Sequence, residues 1–152
     1  MGTEQVVEYF KKWDMDDRII EFDDSCATVE LAAKAIGCAE ERIAKTLSFN
    51  IDNKTILIVV AGDARVDNKK YKTAFNAKSK MLLPEKTLEF IGHSIGGVCP
   101  FGIKDGVTVY LDESLKRFKT VYSACGSSNS VIELTIEELE DHSNYSTWVN
   151  VC

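Results

Sequence analysis

The sequence predicts an α+β fold, a mixed, largely antiparallel sheet or partial barrel with peripheral helices. Three observations carry this. The run Thr55-Ile56-Leu57-Ile58-Val59-Val60-Ala61 is apolar on both faces, as a central strand is. Just before it, Leu47, Phe49 and Ile51 alternate with Thr46, Ser48 and Asn50, and Asp52-Asn53 turns the chain between the two. In the second half, short strand-like runs follow at hairpin-like spacing, which disfavours a doubly wound fold. A length of 152 residues, 45% hydrophobic and 28% charged, suits one domain over residues 1–152 with a real core.

Taken in order, Val6, Val7, Phe10 and Trp13 fall at helical spacing and predict a short amphipathic helix over residues 4–13. The acidic stretch from Asp14 to Asp24 leads out through a loop or short strand at Arg18–Phe22. Thr28 caps a helix over Val29–Ile36, with Glu30 in its first turn and Gly37 just past its end. Glu40–Ile43 adds one more helical turn. In the strand that follows, Lys45 shares a face with Leu47, Phe49 and Ile51, because side chains alternate with period two. A buried ammonium is costly unless paired or solvated. Lys45 therefore either snorkels at the strand end or lines a polar pocket.

Gly62 to Asp67 exits the central strand. Asp67 caps a helix over Asn68–Ala77 with Tyr71, Ala74 and Phe75 as its apolar stripe. Arg65 is expected to bridge Asp63 and Asp67 in a structural loop network. Ser79–Leu83 connects to a helix from Pro84 to about Ile91. Lys104-Asp105-Gly106 is a turn, Val107–Leu111 a strand and Ser114–Phe118 a helical turn. Thr120–Ala124 and Ser130–Leu134 are strands joined by Cys125-Gly126-Ser127-Ser128-Asn129. Thr135 and Glu138 form a capping box for a last short helix. Tyr145–Val151 alternates and closes the sheet.

Composition narrows the function. No apolar run approaches the roughly 20 residues needed to cross a membrane, and the N-terminus lacks the layout of a signal peptide. A cytoplasmic location is the expectation. The cysteines are Cys26, Cys38, Cys99, Cys125 and Cys152, without a C-x-x-C pair, and the only histidines are His93 and His142. This pattern disfavours a metal site and points to reduced thiols; no cofactor is expected. A net charge of −6 argues against a broad nucleic-acid footprint. The charge is uneven, however. Arg65, Lys69, Lys70, Lys72, Lys78 and Lys80 stand against one acid, Asp67, and no Lys or Arg follows Lys119. Such a patch can hold a few phosphates while the rest of the surface repels the polymer.

The stretch Gly92-His93-Ser94-Ile95-Gly96-Gly97-Val98-Cys99-Pro100-Phe101-Gly102 gathers four of the nine glycines and one of the two prolines. Glycine permits unusual backbone angles and proline locks the chain, so a shaped loop is expected rather than a linker. Its main-chain N–H groups are available to an anion or carbonyl. No dinucleotide or P-loop pattern is present.

These blocks add up to a resemblance. Ile43-Ala44-Lys45-Thr46-Leu47, Gly62 to Asp67, Gly96-Gly97-Val98-Cys99-Pro100-Phe101-Gly102, Val109-Tyr110-Leu111-Asp112 and Cys125-Gly126-Ser127 resemble, in order, the YbaK/EbsC family. These are free-standing relatives of the bacterial prolyl-tRNA synthetase editing domain, and the resemblance runs from about residue 25 to residue 140. It implies an aminoacyl-tRNA deacylase acting on a mischarged tRNA, often tRNA(Pro). It implies Lys45 as the functional lysine, and Gly96, Gly97 and Pro100 as the loop whose amides face the reacting carbonyl, with a water and the substrate's own ribose hydroxyl doing the chemistry. Thr28, Arg65, Asp67, His93, Val98, Cys99, Gly126 and Ser127 are the further substrate-binding candidates. The implied partners are a tRNA acceptor end and an aminoacyl-tRNA synthetase. Two alternatives stay open: a non-catalytic aminoacyl-tRNA or nucleotide-binding module, and a thiol-dependent small-ester hydrolase using Cys99 beside His93.

Overall fold

A computed structural model describes residues 2–152. Seven strands form one mixed sheet: β1 (Ile19–Glu21), β2 (Ile43–Ile51), β3 (Lys54–Ala61), β4 (Thr108–Asp112), β5 (Thr120–Ala124), β6 (Ser130–Thr135) and β7 (Thr147–Val149). Their order is β1-β6-β5-β2-β3-β4-β7. The β1–β6, β6–β5 and β2–β3 pairs are antiparallel; β5–β2, β3–β4 and β4–β7 are parallel. The expected mixed sheet is found, and it is open: β1 and β7 end it.

The hairpin β2–β3 forms where the alternation predicts it. Asp52 and Asn53 both take positive φ, 48° and 64°, the twist that a two-residue hairpin turn needs and that Asp and Asn tolerate. β3 is buried along Ile56–Ala61 because both faces of the sheet are covered. On one face, α1 (Gly2–Lys11) and α5 (Ile136–His142) bring Val6, Phe10 and Leu139 against Leu57, Val59, Val109, Leu111 and Leu134. On the other, α3 (Asn68–Phe75) sets Tyr71 and Phe75 against Phe49, Ile58 and Val60. Beside it, α2 (Val29–Ile36) packs Ala32 and Ala33 over Ile43 and Val131.

Helix ends follow the local chemistry. Thr28 Oγ1 accepts from Leu31 N at 3.2 Å, and Asp67 Oδ1 accepts from Lys69 N and Lys70 N. α3 stops before Ala77 because Asn76 adopts the left-handed conformation. Two helix expectations are revised. Glu40–Arg42 is a 3-10 turn, with Ile43 already in β2. The segment after Pro84 divides into a 3-10 turn, Pro84–Lys86, and a single helical turn, α4 (Thr87–Phe90). The last strand is shorter than the alternation predicts, and it lies parallel to β4.

Candidate active site

β2 fixes the first component. On one face of this strand, Ile43 belongs to the cluster under α2, while Leu47 and Phe49 belong to the cluster under α3. Lys45 lies between them on the seam. It is partly buried, and its Nζ donates to Gly62 O at 3.4 Å. Burial pushes its pKa below the ordinary lysine value; the Arg65 charge acts in the same direction, against Cys152 and Asp63.

The glycine loop supplies the second component. Gly96 has φ +90°, and a Cβ there would lie 3.3 Å from Ala27 Cβ. At Gly97 a Cβ would meet Gly126 C and Ser127 N at 2.5 Å, both main-chain atoms, so only glycine fits. Phe10 packs against Phe101 from behind with ring centroids 4.8 Å apart, and a Cβ on Gly102 would lie 3.1 Å from Gln5 O, so α1 braces the loop.

Lys45, Thr28, Gly96 and Val98 line one cavity of about 240 Å³. Its walls also include Cys26, Thr46, Ser48, Leu82, Thr87 and Tyr122. Gly97 N donates to Ser94 O at 3.1 Å. The main-chain N–H groups of Gly96 and Val98 have no partner among the described residues. Those two donors and Lys45 are among the groups that the cavity's lining residues can offer to a carbonyl oxygen or a phosphate.

The remaining sequence candidates lie elsewhere, and several expectations need correction. Gly97 supports the loop from behind, its N–H already engaged. Pro100 is buried and faces a separate hollow on the α1 side. Gly126 and Ser127 form the surface on which Gly97 rests; Ser127 Oγ bonds Asn129 and Ser130. Arg65 lines a shallow outer cleft that Lys45, Thr28 and Asp63 share. It does not bridge Asp63 and Asp67: Arg117 takes both oxygens of Asp63 at 3.0 and 2.5 Å, while Asp67 is used as the cap of α3.

Cys99 and His93 do meet, Sγ to Nε2 at 3.5 Å, but both are fully buried and neither lines the cavity. Burial pushes the Cys99 thiol up to about 12. His93 Nε2 lies 2.7 Å from Phe101 O, closing the loop across its base, and burial lowers its pKa. The Cys99 thiol is packed beneath the loop, outside the cavity lining. The cysteine that reaches the cavity is Cys26, whose thiol burial also raises.

Thr46 and Tyr122 are wall residues that sequence reasoning missed. The strand parity that marked Lys45 also placed Thr46 on the opposite face of β2. For Tyr122 no sequence signal existed. Among the described residues, no group of three His, Cys, Asp or Glu is placed to hold a metal, and no helix is long and apolar enough to cross a membrane.

Comparison with known proteins bears on this geometry. The model of the aminoacyl-tRNA editing domain family matches residues 23–142. The uncharacterized protein YwhH of Bacillus subtilis (strain 168) is 51% identical over 153 residues, which is 100% of this chain and 98% of that protein. A proline–tRNA ligase of Halalkalibacterium halodurans is 33% identical over 104 residues, 68% of this chain but only 18% of the ligase. A crystal structure described as a candidate trans-editing enzyme for prolyl tRNA synthetase superposes with a TM-score of 0.87 at 26% identity, covering 99% of this chain and 96% of that one. The structure of hypothetical protein APE2540 shares the fold with a TM-score of 0.81 at 23% identity, covering 94% of this chain and 98% of the other.

Proposed function

This chain belongs to the aminoacyl-tRNA editing domain family, and we propose from that premise that it is a trans-acting deacylase. It hydrolyses the ester joining a wrong amino acid to the end of a tRNA, with tRNA(Pro) as the tRNA. One observation carries the reading: Lys45 and the unengaged amides of Gly96 and Val98 line the same cavity of about 240 Å³.

The chemistry asked of these groups is modest. An aminoacyl ester is already activated. Its carbonyl oxygen, placed against the Gly96 and Val98 N–H groups, gains negative charge when water adds. Fixed donors stabilise that oxyanion by about 3 kcal/mol each. Lys45 holds the adjoining phosphate or the ester by charge. The attacking water is oriented by the substrate's own ribose hydroxyl, which fits a cavity without a Ser/His/Asp set. The likeness to proline–tRNA ligases supports tRNA(Pro), and a synthetase of that kind as partner.

Single-turnover hydrolysis of alanyl-, cysteinyl-, seryl- and prolyl-tRNA(Pro) tests the reading. One mischarged species is cleaved selectively, and Lys45→Ala lowers that rate on the order of a hundredfold, the scale of one oxyanion or charge contact, without loss of fold. A wild-type protein that binds these RNAs and cleaves none is a binding module instead.

A further inference from the structure

The cavity wall contains a break in the sheet. Along β2 the main-chain groups alternate between its two edges. Those of the even-numbered residues point away from β3: Ser48 O accepts from Leu82 N at 3.0 Å, and Asn50 N donates to Lys80 O at 2.8 Å. On this same edge the parallel pairing with β5 stops at Ala44 and Ser123. Thr46 falls between the two pairings. The next acceptor along β5, Ala124 O, takes the Ser123 hydroxyl instead at 3.0 Å. On the other side, the bridge between Phe49 and Met81 sets the register. The chain then turns into the 3-10 segment at Pro84, which lines the same cavity as Thr46 and has no N–H to give.

The Thr46 N–H and C=O therefore have no partner among the described residues. Its hydroxyl is buried and unpaired as well, and the residue lines the cavity together with Leu82, Pro84 and Ala124. Buried main-chain groups are almost always bonded. Three idle hydrogen-bonding groups on one cavity-wall residue mark a place where a ligand completes the structure.

We propose that this gap seats the α-ammonium group of the substrate's amino acid, with Thr46 C=O and Oγ1 accepting its protons. The identity of the ligand rests on the deacylase reading; the gap itself does not. The opening is short for strand addition, which needs a run of open main-chain groups: Ala44 is paired with β5 before it, and Ser48 O is taken by Leu82 N after it, leaving only the Thr46 groups and the Ser48 N–H between. A single aminoacyl unit is the right size. Thr46 C=O and Oγ1 set two acceptors side by side on one residue, which suits an ammonium, and the Lys45 ammonium is itself held by Gly62 O. Pro84, in the same wall, has no main-chain donor with which to close the seat.

The probes are 3′-alanylamido-3′-deoxyadenosine, whose amide resists hydrolysis, and its 3′-propionamido analogue, which lacks only the amine. Titration calorimetry on the full chain gives wild type a preference for the alanyl compound of about tenfold, the scale of a hydrogen bond to a charged group. Thr46→Val and Pro84→Ala both bring the preference toward one. The first removes the hydroxyl, and the second supplies a main-chain N–H in the same wall. Thr46→Ser retains the preference. Thermal melting separates this from damage to the fold: Thr46→Val melts at or above the wild-type temperature, since it deletes an unpaired buried hydroxyl. A wild type that binds both probes equally, or neither, overturns the proposal, as does an unchanged preference in both Thr46→Val and Pro84→Ala. Failure of the deacylase reading is visible separately, as absent turnover of every charged tRNA.

Discussion

At the scale of single residues, position relative to the cavity separates function from packing. Cys99 and Lys45 both lie within the residues that the family model matches, and both are titratable. Cys99 is sealed behind the loop with its thiol held near 12, whereas Lys45 reaches the cavity from the seam between two apolar clusters. Cys99→Ser therefore keeps deacylation near the wild-type rate, because the serine hydroxyl can donate to Phe101 O where the thiol now does. Single-turnover assay checks this; a loss comparable with that of Lys45→Ala would restore the thiol mechanism. Lys45 was legible in the sequence because side-chain parity is a local rule. Arg65 was misread because the partner of Asp63 is Arg117, 54 positions away, and nothing local announces such a pair.

At the scale of elements, the sequence was most informative where one segment decides its own shape. Thr28 and Gly37, Asp67, and the Thr135–Glu138 box mark helix ends as local chemistry dictates. The β2–β3 turn is likewise set by Asp52-Asn53. The parallel pairings of β5 with β2 and of β4 with β7 were not legible, since a crossover is chosen by distant packing. Nor was the break at Thr46, which needs the positions of β5 and Pro84 together. One element junction carries a pH dependence. Glu138 caps α5 and also receives both Arg18 nitrogens, at 2.6 and 3.1 Å, while Arg18 reaches Glu133 O. The Arg18 hydrogen bonds, helped by the Thr135 amide, hold its pKa at about 2, below the ordinary 4.5. A carboxylate with a depressed folded-state pKa adds stability above its unfolded value, and that stability is lost as pH falls from about 4.5 toward 2. Melting curves taken across that window show wild type losing more stability than Glu138→Gln, which has no such proton to gain. Parallel curves for the two would mean that the fork contributes nothing.

At the scale of the whole molecule, the charge is divided. The net value is −6, yet Arg65, Lys69, Lys70, Lys72, Lys78 and Lys80 are all exposed, on α3 and the segments flanking it. Lys80 leads into the stretch that walls the cavity at Met81 and Leu82. A protein that touches only the end of an RNA needs this much positive surface and no more. Neutralising Lys69, Lys72 and Lys80 together weakens binding of charged tRNA and flattens its salt dependence by about 0.7 in log–log slope for each phosphate left without a cation. Hydrolysis of a bare aminoacyl-adenosine ester is unaffected. Equal slopes for wild type and variant would place the RNA elsewhere. The brace behind the glycine loop has a different bearing. Val6 and Phe10 are fully buried, and Phe10 packs against Phe101, yet α1 precedes residue 23, where the family match begins. The packing of the glycine loop thus depends on residues outside the segment that the family model matches. Speed and choosiness are adjustable by separate dials, one in the first helix and one in the cavity wall.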